Sequence, residues 1–139
     1  MAITKKDKNT YIFPSSIEYL EKIEAISEKI AAKAGMDESA SDDLSIAVTE
    51  LVNNAIHHGN KDDKSKKVTV TFFPGKKQIK VSISDEGNGF NPSKVKDPVA
   101  PENLLAESGR GIYLVEALMD DLKINLTGSG TEIIIIKKF

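Results

Sequence analysis

The chain has 139 residues, 40% of them hydrophobic and 29% charged, with a formal net charge of −2. That length fits one domain around one core, and the interspersed charges give no electrostatic basis for binding nucleic acid or an anionic membrane. With no cysteine, a disulfide framework and a thiolate metal site are both excluded. The opening MAITKKDKNT lacks an apolar stretch behind its lysines, unlike a secretory signal, and the longest aliphatic run, Ile133 to Ile136, is too short to cross a bilayer. A soluble cytoplasmic domain is expected.

Residues 10–14, TYIFP, read as a first strand closed by Pro14, at an edge of the sheet. Ser15 and Glu18 match a capping box for the helix that follows. Leu20, Ile23, Ile30, Ala31 and Ala34 recur at helical spacing, and Gly35 is placed to end that helix. A second helix lies between Asp37 and His58, with Leu44, Ala47, Val48, Leu51 and Ala55 on one stripe. Gly59 to Lys67 is a polar loop.

Val68, Val70 and Phe72 then alternate with threonines, Pro74-Gly75 turns the chain, and Ile79, Val81 and Ile83 alternate again, which predicts a hairpin. Residues 85–108 hold three prolines and show no periodicity, the mark of a long functional loop. From Gly111 a helix sets Ile112, Val115, Leu118 and Met119 on one face. Leu122, Ile124 and Leu126 form a strand, Gly128-Ser129-Gly130 turns, and Thr131 to Lys138 returns. Together these elements predict a single α+β domain over 1–139. It is a two-layer sandwich: a mixed, mostly antiparallel sheet covered on one face by helices.

Four stretches carry chemistry. Glu50 and Asn54 fall one helical turn apart at the border of the second helix's apolar stripe, while Asn53 and His57 point toward solvent. Asp85-Glu86-Gly87-Asn88-Gly89 follows a strand end, where a carboxylate can accept from a ligand amine and glycines admit a flat ligand. Ser108-Gly109-Arg110-Gly111 opens a helix, whose free N–H groups suit phosphate. Gly130-Thr131 opens the last strand. Each has an ordinary structural reading, respectively a polar helix flank, a tight turn, a solvated arginine and a hairpin turn. Adjacent helical histidines His57 and His58 point about 100° apart and cannot share one ion.

In this order and spacing the four stretches closely resemble the nucleotide-binding boxes of the GHKL ATPase superfamily, whose site is the Bergerat ATP-binding fold. Glu50…Asn54-Ala55-Ile56-His57-His58-Gly59 resembles the N box, Asp85-x-Gly87-x-Gly89 and Gly109-Arg110-Gly111 the two glycine boxes, and Gly130-Thr131 the terminal element. ELVNNAIHHGN, DEGNGF and SGRGIYLVEALMDDL are similar to bacterial anti-sigma-factor serine/threonine kinases. The likeness spans nearly the whole chain, leaving no room for the phosphoacceptor helices of a complete sensor histidine kinase.

The resemblance implies that Asp85 receives the adenine amino group with Thr131 nearby through water. Gly87 and Gly89 would shape the adenine and ribose wall, residues 91–108 would form an ATP lid, and Gly109, Arg110 and Gly111 would wrap the phosphates. Asn54 would give the one protein oxygen to Mg²⁺, and Glu50 would orient or deprotonate the attacking hydroxyl. His58 stands at the family's His-Gly position, either touching phosphate or packed as a satisfied structural histidine. The implied activity is transfer of phosphate from ATP to a serine of an anti-anti-sigma antagonist by a protein that also binds a sigma factor. The implied assembly is a homodimer. A nucleotide-gated interaction module without phosphoryl transfer, and a stand-alone ATPase, are the alternatives.

Overall fold

The computed structural model describes residues 3–87 and 111–139. Its strands are β1 (Thr4–Asp7), β2 (Thr10–Pro14), β3 (Lys67–Pro74), β4 (Gln78–Asp85), β5 (Asp121–Thr127) and β6 (Gly130–Lys138). They form one sheet in the order β1-β2-β3-β4-β6-β5, and every pairing in it is antiparallel. Among the described residues three α-helices, α1 (Leu20–Ala34), α2 (Glu38–Asn54) and α3 (Gly111–Leu118), accompany the sheet. This is the expected two-layer architecture. The expected lid at 91–108 lies outside the described residues.

Alternation along the strands decides which face is covered. Val68, Val70, Phe72, Ile79, Val81, Ile83 and Ile135 are fully or almost fully buried, and they meet Leu44, Val48, Leu51 and Val52 of α2. Neighbouring positions on the opposite face, such as Thr69, Thr71, Ser84 and Ile134, are only partly buried. α2 supplies most of the helical core because its apolar stripe is widest, and α1 and α3 pack on either side of it. Gly35 ends α1 at φ 90°, a left-handed conformation that suits glycine.

Two local expectations are corrected. Ser15 caps no helix: its hydroxyl donates to the Lys66 carbonyl at 2.8 Å, and a short 3-10 turn (Ile17–Tyr19), not an α-helix, follows it. The hydroxyl oxygen accepts from the Asn60 side-chain amide at 2.7 Å in place of a helix N–H. Residues 10–14 are also not an edge, because β1 pairs outside them. β1 has four exposed residues and so leaves no hydrophobic alternation to read.

Candidate active site

α2 ends in a one-turn π-helix, Ala55–Gly59, closed by the Asn60 N–H donating to the Ala55 carbonyl at 2.8 Å. Widened turns of this kind re-aim side chains and recur at functional sites. Here the turn drives Gly59 against the end of β4. A methyl group at Gly59 would occupy the space of the Asp85 carboxylate, and one at Gly87 would strike the Gly59 carbonyl. One at Gly130 would strike the Asp85 carbonyl. Three glycines therefore allow the helix end, β4 and β6 to close around a single aspartate.

Asp85 is half-buried, and its Oδ1 accepts from the Gly87 N–H at 3.0 Å and the Thr131 N–H at 3.2 Å. Burial pushes its pKa above the ordinary aspartate value; those two donors, and the charge of Lys66, pull the other way. The carboxylate is thus held in place through one oxygen. Gly130-Thr131 joins Asp85 as the sequence pattern predicts.

The other end of the site is the last turn of α2. Glu50 is half-buried and Asn54 is only 8% exposed, with its Nδ2 lacking a hydrogen-bond partner among the described residues. A buried amide without a partner is costly, of order 1–3 kcal/mol, and such a group in a native structure calls for a missing ligand or water. Gly111 lies directly over both side chains: a methyl group there would stand 2.8 Å from Glu50 Oε2 and 3.5 Å from Asn54 Nδ2. The start of α3 and the end of α2 therefore meet with glycine between them. Glu50 and Gly59 are nine residues apart, roughly 13 Å of helix axis at 1.5 Å per residue.

Among the described residues no group of three or more His, Asp and Glu side chains converges to hold a metal. The chain's donors here, one buried carboxamide and one neighbouring carboxylate, fit an ion that brings phosphate and water as its other ligands, which is the habit of Mg²⁺.

His58 is exposed, which excludes the packed structural alternative. His57 keeps a side chain 38% exposed, in line with a solvent-facing position, and its Nδ1 lies 2.6 Å from Asp62. Asp62 reaches it because Lys61 and Asp62 take left-handed backbone conformations just after the π-turn. Gly89, Gly109 and Arg110 lie outside the described residues.

Sequence reasoning missed Asn60. It is fully buried in what reads as a polar loop, donating to Ser15 Oγ at 2.7 Å and the Lys67 carbonyl at 3.0 Å. Its Oδ1 accepts from the Glu86 N–H at 2.8 Å. Glu86 in turn accepts from the Lys67 N–H. One carboxamide thus ties β2, β3 and the residue after Asp85 to the end of the π-turn. The signal was its place straight after His-Gly, next to the N-box pattern.

A family profile described as histidine kinase-like ATPase domain matches residues 13–137. The serine-protein kinase RsbW of Oceanobacillus iheyensis is 33% identical over 118 residues, covering 81% of this chain and 75% of that protein. The chain belongs to the histidine kinase-like ATPase family, on its RsbW serine-protein kinase branch. RsbW of Bacillus subtilis is 33% identical over 117 residues, 80% of this chain and 73% of that one. Among solved structures, the RsbU and RsbW domains of Rv1364c from Mycobacterium tuberculosis align with a TM-score of 0.64 at 20% identity, over 94% of this chain and 32% of that longer one. The catalytic domain of histidine kinase ThkA aligns with a TM-score of 0.56 at 17% identity, over 99% of this chain and 97% of the other. Both structures establish the GHKL-type fold. No helix among the described residues is long and apolar enough to cross a membrane.

Proposed function

We propose that the protein is a cytoplasmic anti-sigma factor that binds a sigma factor and, with ATP and Mg²⁺, phosphorylates a serine of an anti-anti-sigma antagonist. The observation that carries this is the meeting of Glu50 and Asn54 beneath Gly111, on the helix whose terminal turn packs Gly59 against the half-buried Asp85. A nucleotide binder needs the aspartate and the glycines; it has no use for a carboxylate at the far end.

In this reading Asp85 accepts a hydrogen bond from the adenine amino group through the oxygen that Gly87 and Thr131 leave free. Gly87 and Gly89 give the base and ribose a wall without side chains. Gly109, Arg110 and Gly111 meet the phosphates at the start of α3, with His58 at the exposed rim, and residues 91–108 close over them. Asn54 turns its carboxamide oxygen to Mg²⁺, an orientation exchangeable with the nitrogen by rotation of the amide. The ion would neutralise the charge that develops on the transferring phosphoryl group.

Glu50 takes the proton of the antagonist's serine hydroxyl while that oxygen bonds to the γ-phosphorus and the bond from γ-phosphorus to the β–γ bridging oxygen breaks, leaving ADP. Phosphoserine adds roughly −1.5 to −2 of charge, which expels the antagonist by repulsion and desolvation. A homodimer is part of the reading, but it cannot use residues 10–14 as a free edge, because β1 already covers them.

The test is incubation of purified protein with γ-labelled ATP and an antagonist captured from cell extract. Label on the antagonist, abolished by Glu50→Gln while ATP affinity persists, is the expected result. Capture of the antagonist and retention of ATP without label would instead make the protein a nucleotide-gated interaction module. Equal transfer by wild type and Glu50→Gln would remove Glu50 from the mechanism.

A further inference from the structure

A groove of about 390 Å³ runs between α1 and α2 and opens beside Glu50. Glu24 and Glu28 form its α1 wall; Asp42, Ser45, Ile46 and Glu50 line it from α2. Its four carboxylates form no ion pair among the described residues. Glu24 and Glu28 stand one helical turn apart on the same face, an arrangement that disfavours the helix unless a cation lies between them.

A second and independent observation points to a ligand. Ser45 is 5% exposed, lines the groove, and its hydroxyl has no hydrogen-bond partner among the described residues. A helical serine can satisfy itself on the carbonyl four residues back, and Thr49 does so, donating to the Ser45 carbonyl at 2.8 Å. The Ser45 hydroxyl does not. An apolar residue would fill that position without leaving a buried polar group unmatched. Beside it Ile46 is 45% exposed, an apolar surface of the kind that the stem of a long basic side chain covers.

We infer that this groove receives an arginine or lysine side chain from the segment of the protein substrate that carries the acceptor serine. The inference rests on the kinase reading above and names what that site selects. Arginine suits it better, because its fixed fork of donors can meet two carboxylates together. Glu50 belongs to both the groove and the transfer site, so the anchor lies within a few residues of the serine. A groove filled in this way positions the hydroxyl as well as recognising the partner.

The test uses the variant Glu24→Gln/Glu28→Gln/Asp42→Asn, whose three positions are exposed and outside the transfer chemistry. One probe is a capped peptide holding one serine with one arginine two residues before it, compared with its glutamine counterpart. Only the arginine peptide should shift the Ser45, Ile46 and Thr49 amide resonances of the wild type, and the variant should lose those shifts. In steady-state phosphorylation of the captured antagonist, KM should rise roughly tenfold, the loss expected when three exposed carboxylates that attract one basic side chain are neutralised, while kcat and ATP affinity stay unchanged. Groove shifts without any label transfer would sink the kinase reading and leave the groove a cation-docking site. Label transfer with an unaltered KM in the variant, or peptide shifts equal for arginine and glutamine, would overturn the groove assignment while sparing the kinase.

Discussion

Replacing Gly111 by alanine separates catalysis from stability. The added methyl would sit 2.8 Å from Glu50 Oε2, where ordinary contact begins at 3.4 Å, so the carboxylate must retreat by several tenths of an ångström. It can do so because it ends a flexible side chain; Asn54 Nδ2, at 3.5 Å, need not move. Folding therefore loses little, and alanine at the first position of α3 recovers part of the roughly 1 kcal/mol that glycine costs in a helix. The melting temperature should hold or rise by up to about 3 °C. Catalysis should fall, since misplacing a reacting group by about 1 Å costs on the order of 100-fold; a shift of half that predicts about tenfold. Differential scanning fluorimetry and single-turnover transfer at saturating ATP, run on the same preparation, give both numbers. Unchanged transfer would show that the Glu50 carboxylate is not the poised group. A melting temperature lower by more than about 5 °C would show that rigid packing, not a mobile carboxylate, faces Gly111.

Three further outcomes follow from the same contacts. Asp85→Asn should abolish ATP binding in calorimetry. It should also change the pH dependence of folding: the raised pKa of Asp85 lets the folded chain keep a proton that the unfolded chain has released, so wild-type stability falls as pH rises from 3.8 to the raised value and is level above it. The variant should lack that decline and melt no lower than wild type at neutral pH, as thermal scans across the acidic range would reveal. Gly87→Ala drives a methyl into the Gly59 carbonyl, which is backbone and cannot swing aside, so it should cost about 1–3 kcal/mol in denaturant titration. Asn60→Ala removes three side-chain hydrogen bonds at about 1 kcal/mol each; urea titration should show a loss of about 2–3 kcal/mol, with weakened ATP affinity because Glu86 and Asp85 lose their tether.

The sequence made the helices, the hairpins and the covered face legible, because hydrophobic spacing records which side of an element is dry. Leu44, Val48 and Leu51 repeat at helical period; Val68, Val70 and Phe72 at strand period. The glycine and acid positions of the site were legible because their chemistry constrains residue type at fixed offsets. What stayed hidden depends on long-range partners. Ser15 has the local pattern of a cap, yet the Lys66 carbonyl takes its hydroxyl. Asn60 reads as loop because nothing nearby shows that three other segments will close over it. The pairing of His57 with Asp62 stayed hidden because Asp62 reaches it only through two left-handed residues.

The central claim is that Asp85 and Asn54 belong to one nucleotide pocket. Calorimetric titration of the wild type with ATP, in the presence and absence of Mg²⁺, tests it most directly. One site per chain is expected, strengthened by the ion in wild type but not in Asn54→Ala, and absent in Asp85→Asn. No heat and no thermal stabilisation at high micromolar ATP, or a magnesium effect indifferent to Asn54, would contradict it.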